Sequence, residues 1–355
     1  MHDDDTHDGT EYSGIRGAKH MVQTHSNGEA RHPVIVYIHG ESFEWNSGNP
    51  YDGSVLASYA DLVVITLNYR LGILGFLNAN PAPHLKARVA NYGLMDQIAA
   101  LHWIQQNIAL FGGDPNNVTL AGHGSGAACI NFLMISPTVM PGLFHRALLL
   151  SGSALSSWAL VEDPVNYAVK LAREVNCSIP EDVGKDHEQI VDCLRETPLT
   201  DLLQADVTPP AYLSAFGPSV DGVVIKADFA KELVTYFKPQ DLQSFVGPVN
   251  ANMKRSEATL VPKGSNPYDL LFGVVTSEAL WRFSSNDIQA GFEGERRDKI
   301  VRTYRMGTVH GEELPYMFGA PLVDGFNHFP RNYTRSELAL SESFIIFIAN
   351  FARTG

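Results

Sequence analysis

The residues able to do chemistry gather in one short stretch, Gly122-His123-Gly124-Ser125-Gly126. A strand-like run, Val118–Ala121, leads into it, and a helix-like run, Ala127–Leu133, leaves it. Strand, tight glycine turn and helix together are the setting of a nucleophile elbow, which lifts one side chain above the end of a sheet. Small residues permit the strained backbone and the close strand–helix packing of such a turn. The expected pattern is Gly-x-Ser-x-Gly. Gly122 and Gly126 fill the flanks, and the centre is Gly124. Glycine has no side-chain oxygen, thiol or amine, so it cannot attack a carbonyl and form an acyl intermediate. Ser125 lies one position further along. An elbow of its own needs glycine at 123 and 127, where His123 and Ala127 stand.

Other chemistries have weaker signals. There is no HExxH, no EF-hand loop, no paired CxxC and no GxxxxGK[ST], and no GxGxxG follows a strand with a suitable sequel. His2, Asp3, Asp4, Asp5, His7 and Asp8 could hold a divalent ion loosely, but a solvated acidic start explains them better. No metal ligand set is assigned. The glycine turn is therefore not a nucleotide site.

The elements that must position the turn read as a parallel α/β protein. Val34–His39 and Leu62–Leu67 are short β-branched runs ending in loop signals. Neither alternates between apolar and polar residues, which suits strands covered on both faces. Leu94, Ile98, Leu101, Ile104 and Ile108 recur at helical spacing. Phe111-Gly112-Gly113-Asp114-Pro115 then turns the chain before the strand at Val118. Ala147–Leu150 follows as the next strand, completing a βαβ unit. Asp163-Pro164 reads as an N-cap with proline at the first helical position, opening a helix to Val175. Leu270–Val275 is a later strand and Ser336–Phe351 a C-terminal helix. Residues 1–32 read as a polar arm, and residues 33–355 as one domain, with a loop-rich lobe over 190–265.

Composition narrows the function classes. Apolar residues make up 45% of 355, enough for a substantial core, and the formal net charge is −13. That charge argues against a general phosphate-backbone binder, which gains affinity by releasing counterions through Lys and Arg. It suits a cationic partner or one held through calcium, although solubility alone also explains it. Phe344–Phe351 is too short an apolar run to cross a bilayer, and Met1–Asp8 lacks the basic-then-apolar order of a secretory leader. Three cysteines do not define a framework; Cys177–Cys193, with Cys129 buried and free, is one pairing. Asn-x-Ser/Thr tripeptides occur at Asn117, Asn176 and Asn332. Asn117 falls at a strand start, and Asn332, after a loop-like segment, is the best acceptor candidate.

Longer matching stretches carry a resemblance. Val36–Phe43 (VYIHGESF), Asn68–Phe76 (NYRLGILGF), the continuous run Asn91–Cys129, Gly142–Ala159 (GLFHRALLLSGSALSSWA) and Val309–Gly319 (VHGEELPYMFG) resemble the carboxylesterase/cholinesterase family. Within it the chain is most similar to the non-catalytic adhesion branch, the neuroligins, and particularly to an invertebrate one. The resemblance is dense over residues 34–158 and looser to 351. It implies an α/β-hydrolase fold with a mostly parallel central sheet. It places the family's catalytic histidine on His310 and the triad acid on Glu278. Without a nucleophile the two read as a structural remnant. It also assigns the oxyanion loop to His39-Gly40-Glu41-Ser42, where Glu41 and Ser42 replace glycines of active relatives. A carboxylate aimed inward there opposes a developing negative charge, and the sequence does not fix which way Glu41 points.

The same resemblance implies the remaining expectations. They are a Cys177–Cys193 disulfide, no cofactor, and calcium-dependent binding to a neurexin-type receptor. The whole parent is implied to be a homodimeric type I membrane protein, on the extracellular side of a postsynaptic plasma membrane. The partner-facing region maps to Glu278, Leu280, Trp281 and Arg282, and Asn286-Asp287 could approach a calcium site there. A packing role for Leu280 and Trp281 stands as the equal alternative. Glu278 and His310 lie only 32 positions apart where the family inserts a long helical segment, and the family continues past Gly355. The fold is therefore expected to be incomplete, with the dimer surface and the membrane anchor outside this chain. Two alternatives to inactive adhesion remain: a serine carboxylesterase using Ser125 or another nucleophile, and a degenerate fragment without independent function.

Overall fold

The computed structural model describes residues 31–210, 213–236, 268–275, 310–323 and 333–355. Five strands among these residues form one parallel sheet: β1 (His32–Ile38), β2 (Val63–Leu67), β3 (Gly113–His123), β4 (Arg146–Leu150) and β5 (Asp269–Gly273), in the order β2-β1-β3-β4-β5. The helices are α1 (Ser54–Ala60), α2 (Gly72–Phe76), α3 (Tyr92–Asn107), α4 (Ser125–Ile135), α5 (Pro164–Glu174), α6 (Val183–Glu196), α7 (Leu199–Gln204), α8 (Phe229–Tyr236), α9 (Leu314–Met317) and α10 (Arg335–Thr354). The polar arm expected over residues 1–32 lies outside the described residues except for its end, where His32 already belongs to β1.

The non-alternating strands are explained by two apolar layers. Val34, Val36 and Ile38 of β1 join Leu94, Leu101, Ala127 and Phe132 in one layer. Ile35 and Tyr37 join Leu148, Leu150, Phe318, Ile345 and Ile348 in the other. A strand pressed from both sides has no face left for polar residues. The crossover through α4 brings β3 back beside its parallel neighbour β4.

Local chemistry sets the element ends. The Asp163 side chain accepts from the Asn166 N–H, capping α5 with Pro164 in its first turn. Thr334 and Glu337 form a reciprocal capping box at the start of α10.

One expected boundary is corrected: β3 begins at Gly113, not Val118. Gly112 (φ 79) closes a 3-10 turn over Ile108–Phe111, and its carbonyl accepts from the His32 N–H. Pro115 survives in the strand because pairing with β1 shifts register between His32 and Val34, leaving a bulge for it. Farther along, Val223–Ile225 wraps around a buried carboxylate. The three N–H groups all donate to Asp221 Oδ1, at 2.9, 2.8 and 3.0 Å.

Candidate functional site

The elbow stands where the sequence pattern puts it. Gly124 has φ 55 and ψ −120 between β3 and α4, a conformation that an L side chain adopts only under strain. Its N–H donates to the Leu150 carbonyl at 2.9 Å. The surrounding glycines are required by close approach. A Cβ on Gly126 would lie 2.1 Å from the Ile38 carbonyl oxygen, and one on Gly152 would lie 2.0 Å from that of Gly124. The β1 loop, the elbow and the loop after β4 thus meet backbone to backbone.

His310 faces the apex of the turn. A Cβ built on Gly124 would meet His310 Nε2 at 3.3 Å and Cε1 at 3.7 Å. The histidine assigned by resemblance therefore sits beside the position of an attacking group, and that position holds a hydrogen. Ser125 does not replace it. Ser125 is buried as the first residue of α4, and its hydroxyl has no hydrogen-bond partner among the described residues.

Beneath the apex lies a contact that sequence reasoning missed. His123 and His310 pack together with ring centroids 4.2 Å apart and ring planes tilted by 47°. His123 Nε2 lies 3.4 Å from Glu313 Oε1, and the Ser151 hydroxyl donates to that same oxygen at 3.4 Å. His123 is almost wholly buried. Glu313 reaches it from the turn after His310, at the start of α9. Spacing gave no clue to this partnership across 190 positions. The only hint was an acidic pair, Glu312-Glu313, beside an apolar helix start.

The oxyanion loop keeps an unusual backbone without glycine. Glu41, Ser42 and Phe43 have φ of 87, 61 and 64. Neighbours hold them there. Tyr69 donates its hydroxyl to the His39 carbonyl at 2.8 Å and stacks on the His39 ring at 4.5 Å. The Ser214 hydroxyl donates to the Ser42 carbonyl at 2.6 Å, and the Gly72 N–H to the Phe43 carbonyl at 2.8 Å. Phe43 packs against Phe76 and Trp158. His39 Nδ1 donates to the Gly40 carbonyl at 3.2 Å, and burial depresses this imidazole to about 4, so the ring is neutral at physiological pH.

Glu41 is half-buried. Burial raises its carboxyl above the usual range, and the nearby His310 pulls it partly back.

Cys177 and Cys193 are joined by a disulfide that ties the end of α5 to α6. Cys129 is buried, and burial pushes its thiol up to about 12, so it stays protonated. Glu278, Leu280, Trp281, Arg282, Asn286, Asp287 and Asn332 lie outside the described residues. Among the described residues no cluster of three or more His, Cys, Asp or Glu side chains could hold a metal, and no helix is long and apolar enough to cross a membrane.

With the elbow, its facing histidine and the parallel sheet in place, the wider comparison is decisive. A profile of the carboxylesterase family matches residues 20–305. The chain belongs to the carboxylesterase family. Its sheet and elbow are those of an α/β-hydrolase fold. Among its relatives are mouse neuroligin-3, 35% identical over 91% of this chain and 45% of that protein, and human neuroligin-2, 34% identical over 91% and 44%. Neuroligin-1 of Caenorhabditis elegans is 35% identical over 86% of this chain and 36% of its own length. The chain is thus a neuroligin homologue spanning less than half the length of these relatives. The stretch aligned with neuroligin-3 covers 379 positions, more than this whole chain of 355, so that relative carries residues missing here within the matched span.

Proposed function

We propose that this chain is a catalytically silent esterase-like recognition domain that serves cell adhesion. The observation that carries the reading is the hydrogen at the apex of the elbow: His310 faces Gly124, which carries no attacking atom. A base without a nucleophile cannot start acyl transfer. Glu41, in the loop that the resemblance assigns to the oxyanion hole, opposes the same chemistry, because a fixed negative charge there destabilises a developing oxyanion.

What the fold retains is a rigid frame for its surface loops. In the full-length parent we assign it calcium-dependent binding to a neurexin-type receptor from the extracellular side of a postsynaptic plasma membrane, as a homodimer. The similarity to several neuroligins supports this reading. The proposed contact residues are Glu278, Leu280, Trp281 and Arg282; Trp and Arg are the types that dominate interface energetics. Asn332 is proposed as an N-glycan acceptor. Calcium enters with the partner, at the interface.

The deciding experiment measures binding of the secreted full-length parent to an immobilised neurexin ectodomain, with calcium and with chelator. The expected outcome is binding that chelation abolishes and that Leu280→Ala/Trp281→Ala weakens at least tenfold, together with no ester turnover. Calcium-independent binding, or turnover that tracks His310, overturns the proposal.

A further inference from the structure

We infer that Asn176 carries an N-linked glycan. Asn176-Cys177-Ser178 is one of three acceptor tripeptides, and the structure separates it from Asn117. Asn117 Oδ1 accepts from the Arg146 guanidinium, and its tripeptide runs into Val118 and Thr119, both buried in β3 between β1 and β4. A glycan there would displace Arg146 at the start of β4.

Asn176 is the opposite case. It stands exposed just beyond α5 with φ 60, the left-handed conformation that Asn tolerates better than most residues. Its N–H donates to the Arg173 carbonyl at 3.1 Å, and the Cys177 N–H to the Ala172 carbonyl at 2.7 Å. This paired closure at a helix end turns the side chain of the left-handed residue away from the helix. The Asn176 amide makes no hydrogen bond among the described residues, and Ser178 is exposed as well. Both groups that the transferring enzyme must read are on the surface.

The left-handed turn alone could account for asparagine at 176, since Asn is second to glycine there. It does not account for an exposed serine two residues on. The neighbouring disulfide adds chemical context, because a structural bridge belongs to an oxidising compartment, the same one in which such glycans are added. In the transfer, Asn176 Nδ2 bonds to the anomeric carbon of a lipid-pyrophosphate-linked oligosaccharide. The carbon–oxygen bond to pyrophosphate breaks, the lipid pyrophosphate leaves, and the amide loses one proton. The sugar then covers the outside of the α5–α6 hairpin and keeps any protein partner off that face.

The inference rests on the extracellular reading, and the test separates the two. The 355-residue chain is expressed behind a secretion leader in insect cells. Peptides are mapped with and without an amidase that releases N-glycans, in heavy-oxygen water. Most molecules are expected to carry glycan at Asn176, read as heavy-oxygen aspartate after release. Ser178→Ala abolishes it without touching the turn. Asn176→Gly also abolishes it and keeps the left-handed turn. Ser178→Thr retains it, and Asn332→Gln leaves it unchanged. A secreted chain with the Cys177–Cys193 bridge intact but Asn176 bare overturns the inference alone. A chain with neither bridge nor glycan overturns the extracellular reading with it.

Discussion

Gly124→Ser is the perturbation that tests the site most directly. The new side chain must adopt φ 55 and ψ −120, a conformation costing roughly 1–3 kcal/mol for a residue with Cβ. At about 2–4 °C per kcal/mol for a domain of 150–250 residues, Tm is expected to fall by several degrees. In return Oγ is placed one bond beyond a Cβ that lies 3.3 Å from His310 Nε2, within hydrogen-bond reach. The assay is covalent labelling by a fluorophosphonate. Oγ attacks phosphorus, fluoride leaves, and His310 takes the proton. The wild-type chain is expected to stay unlabelled and Gly124→Ser to label slowly. Glu41 is the reason for the slowness: a carboxylate in this loop repels a developing oxyanion, and like unit charges ~6 Å apart at an effective dielectric of ~20 repel by about 3 kcal/mol. Adding Glu41→Gly is therefore expected to speed labelling about a hundredfold, and adding His310→Ala to remove it. Labelling of the wild-type chain at Ser125 would refute the inactive reading. Labelling of Gly124→Ser at equal rates with and without His310 would refute the geometry.

Other outcomes follow from particular residues. Glu41→Gly alone is expected to raise Tm, because it relieves a side chain held at φ 87 and removes a carboxylate whose charged form burial disfavours. His39 is depressed to about 4 in the fold against an ordinary 6.5, so the unfolded chain binds the extra proton between those values. Stability is therefore complete above pH 6.5 and lost as pH falls, by about 2 kcal/mol at pH 5; urea unfolding at pH 7 and pH 5 should show a smaller difference in His39→Gln. Asp221, fully buried, accepts five backbone N–H groups, including those of Ala90 and Asn91. Asp221→Ala leaves them unpaired and is expected to cost about 3–5 kcal/mol or to prevent folding, read by chemical denaturation. Loss of the Cys177–Cys193 bridge, which closes a 16-residue separation, is expected to cost about 3 kcal/mol in the same measurement.

The parts of this molecule that were legible in the sequence are those fixed by local rules. The β-branched runs at Val34 and Leu62, the proline-led cap at Asp163 and the glycine spacing about position 124 each determine a backbone state with few neighbours involved. The parts that were not legible depend on partners far along the chain. β3 starts early because His32 pairs with the end of a 3-10 turn, a long-range bond invisible in the Gly112-Gly113 dipeptide. The role of Asp221 comes from five amides, two of them more than a hundred positions away, which no local pattern reveals. At the site, resemblance located His310, but no spacing rule pairs His123 with Glu313.

The elbow and the oxyanion loop have moved in opposite energetic directions, and the contrast says what each is for. At the elbow, glycine at φ 55 removes strain that a serine must carry. The turn itself persists because Gly122, Gly126 and Gly152 are packed against backbone atoms nearer than any Cβ allows; it is a junction of the fold whether or not it catalyses. The oxyanion loop instead has non-glycine residues at three successive positive φ angles, so strain is concentrated there. Such a loop survives only if its surroundings over-determine it. Here they do, through Tyr69, Ser214, Gly72 and the Phe43–Phe76–Trp158 packing. A loop held rigid against local preference, with Glu44 and Trp45 exposed beside it, is a surface fixed in shape. On the proposed adhesion reading, catalysis does not need that shape, but recognition by a rigid frame does. Glu41→Gly/Ser42→Gly/Phe43→Gly should therefore restore the conformational freedom of the unfolded chain, loosen the loop and increase its amide exchange by at least tenfold, while leaving exchange in β1 and β3 unchanged. Unchanged protection of the loop would show that the strain is carried for some reason other than shape.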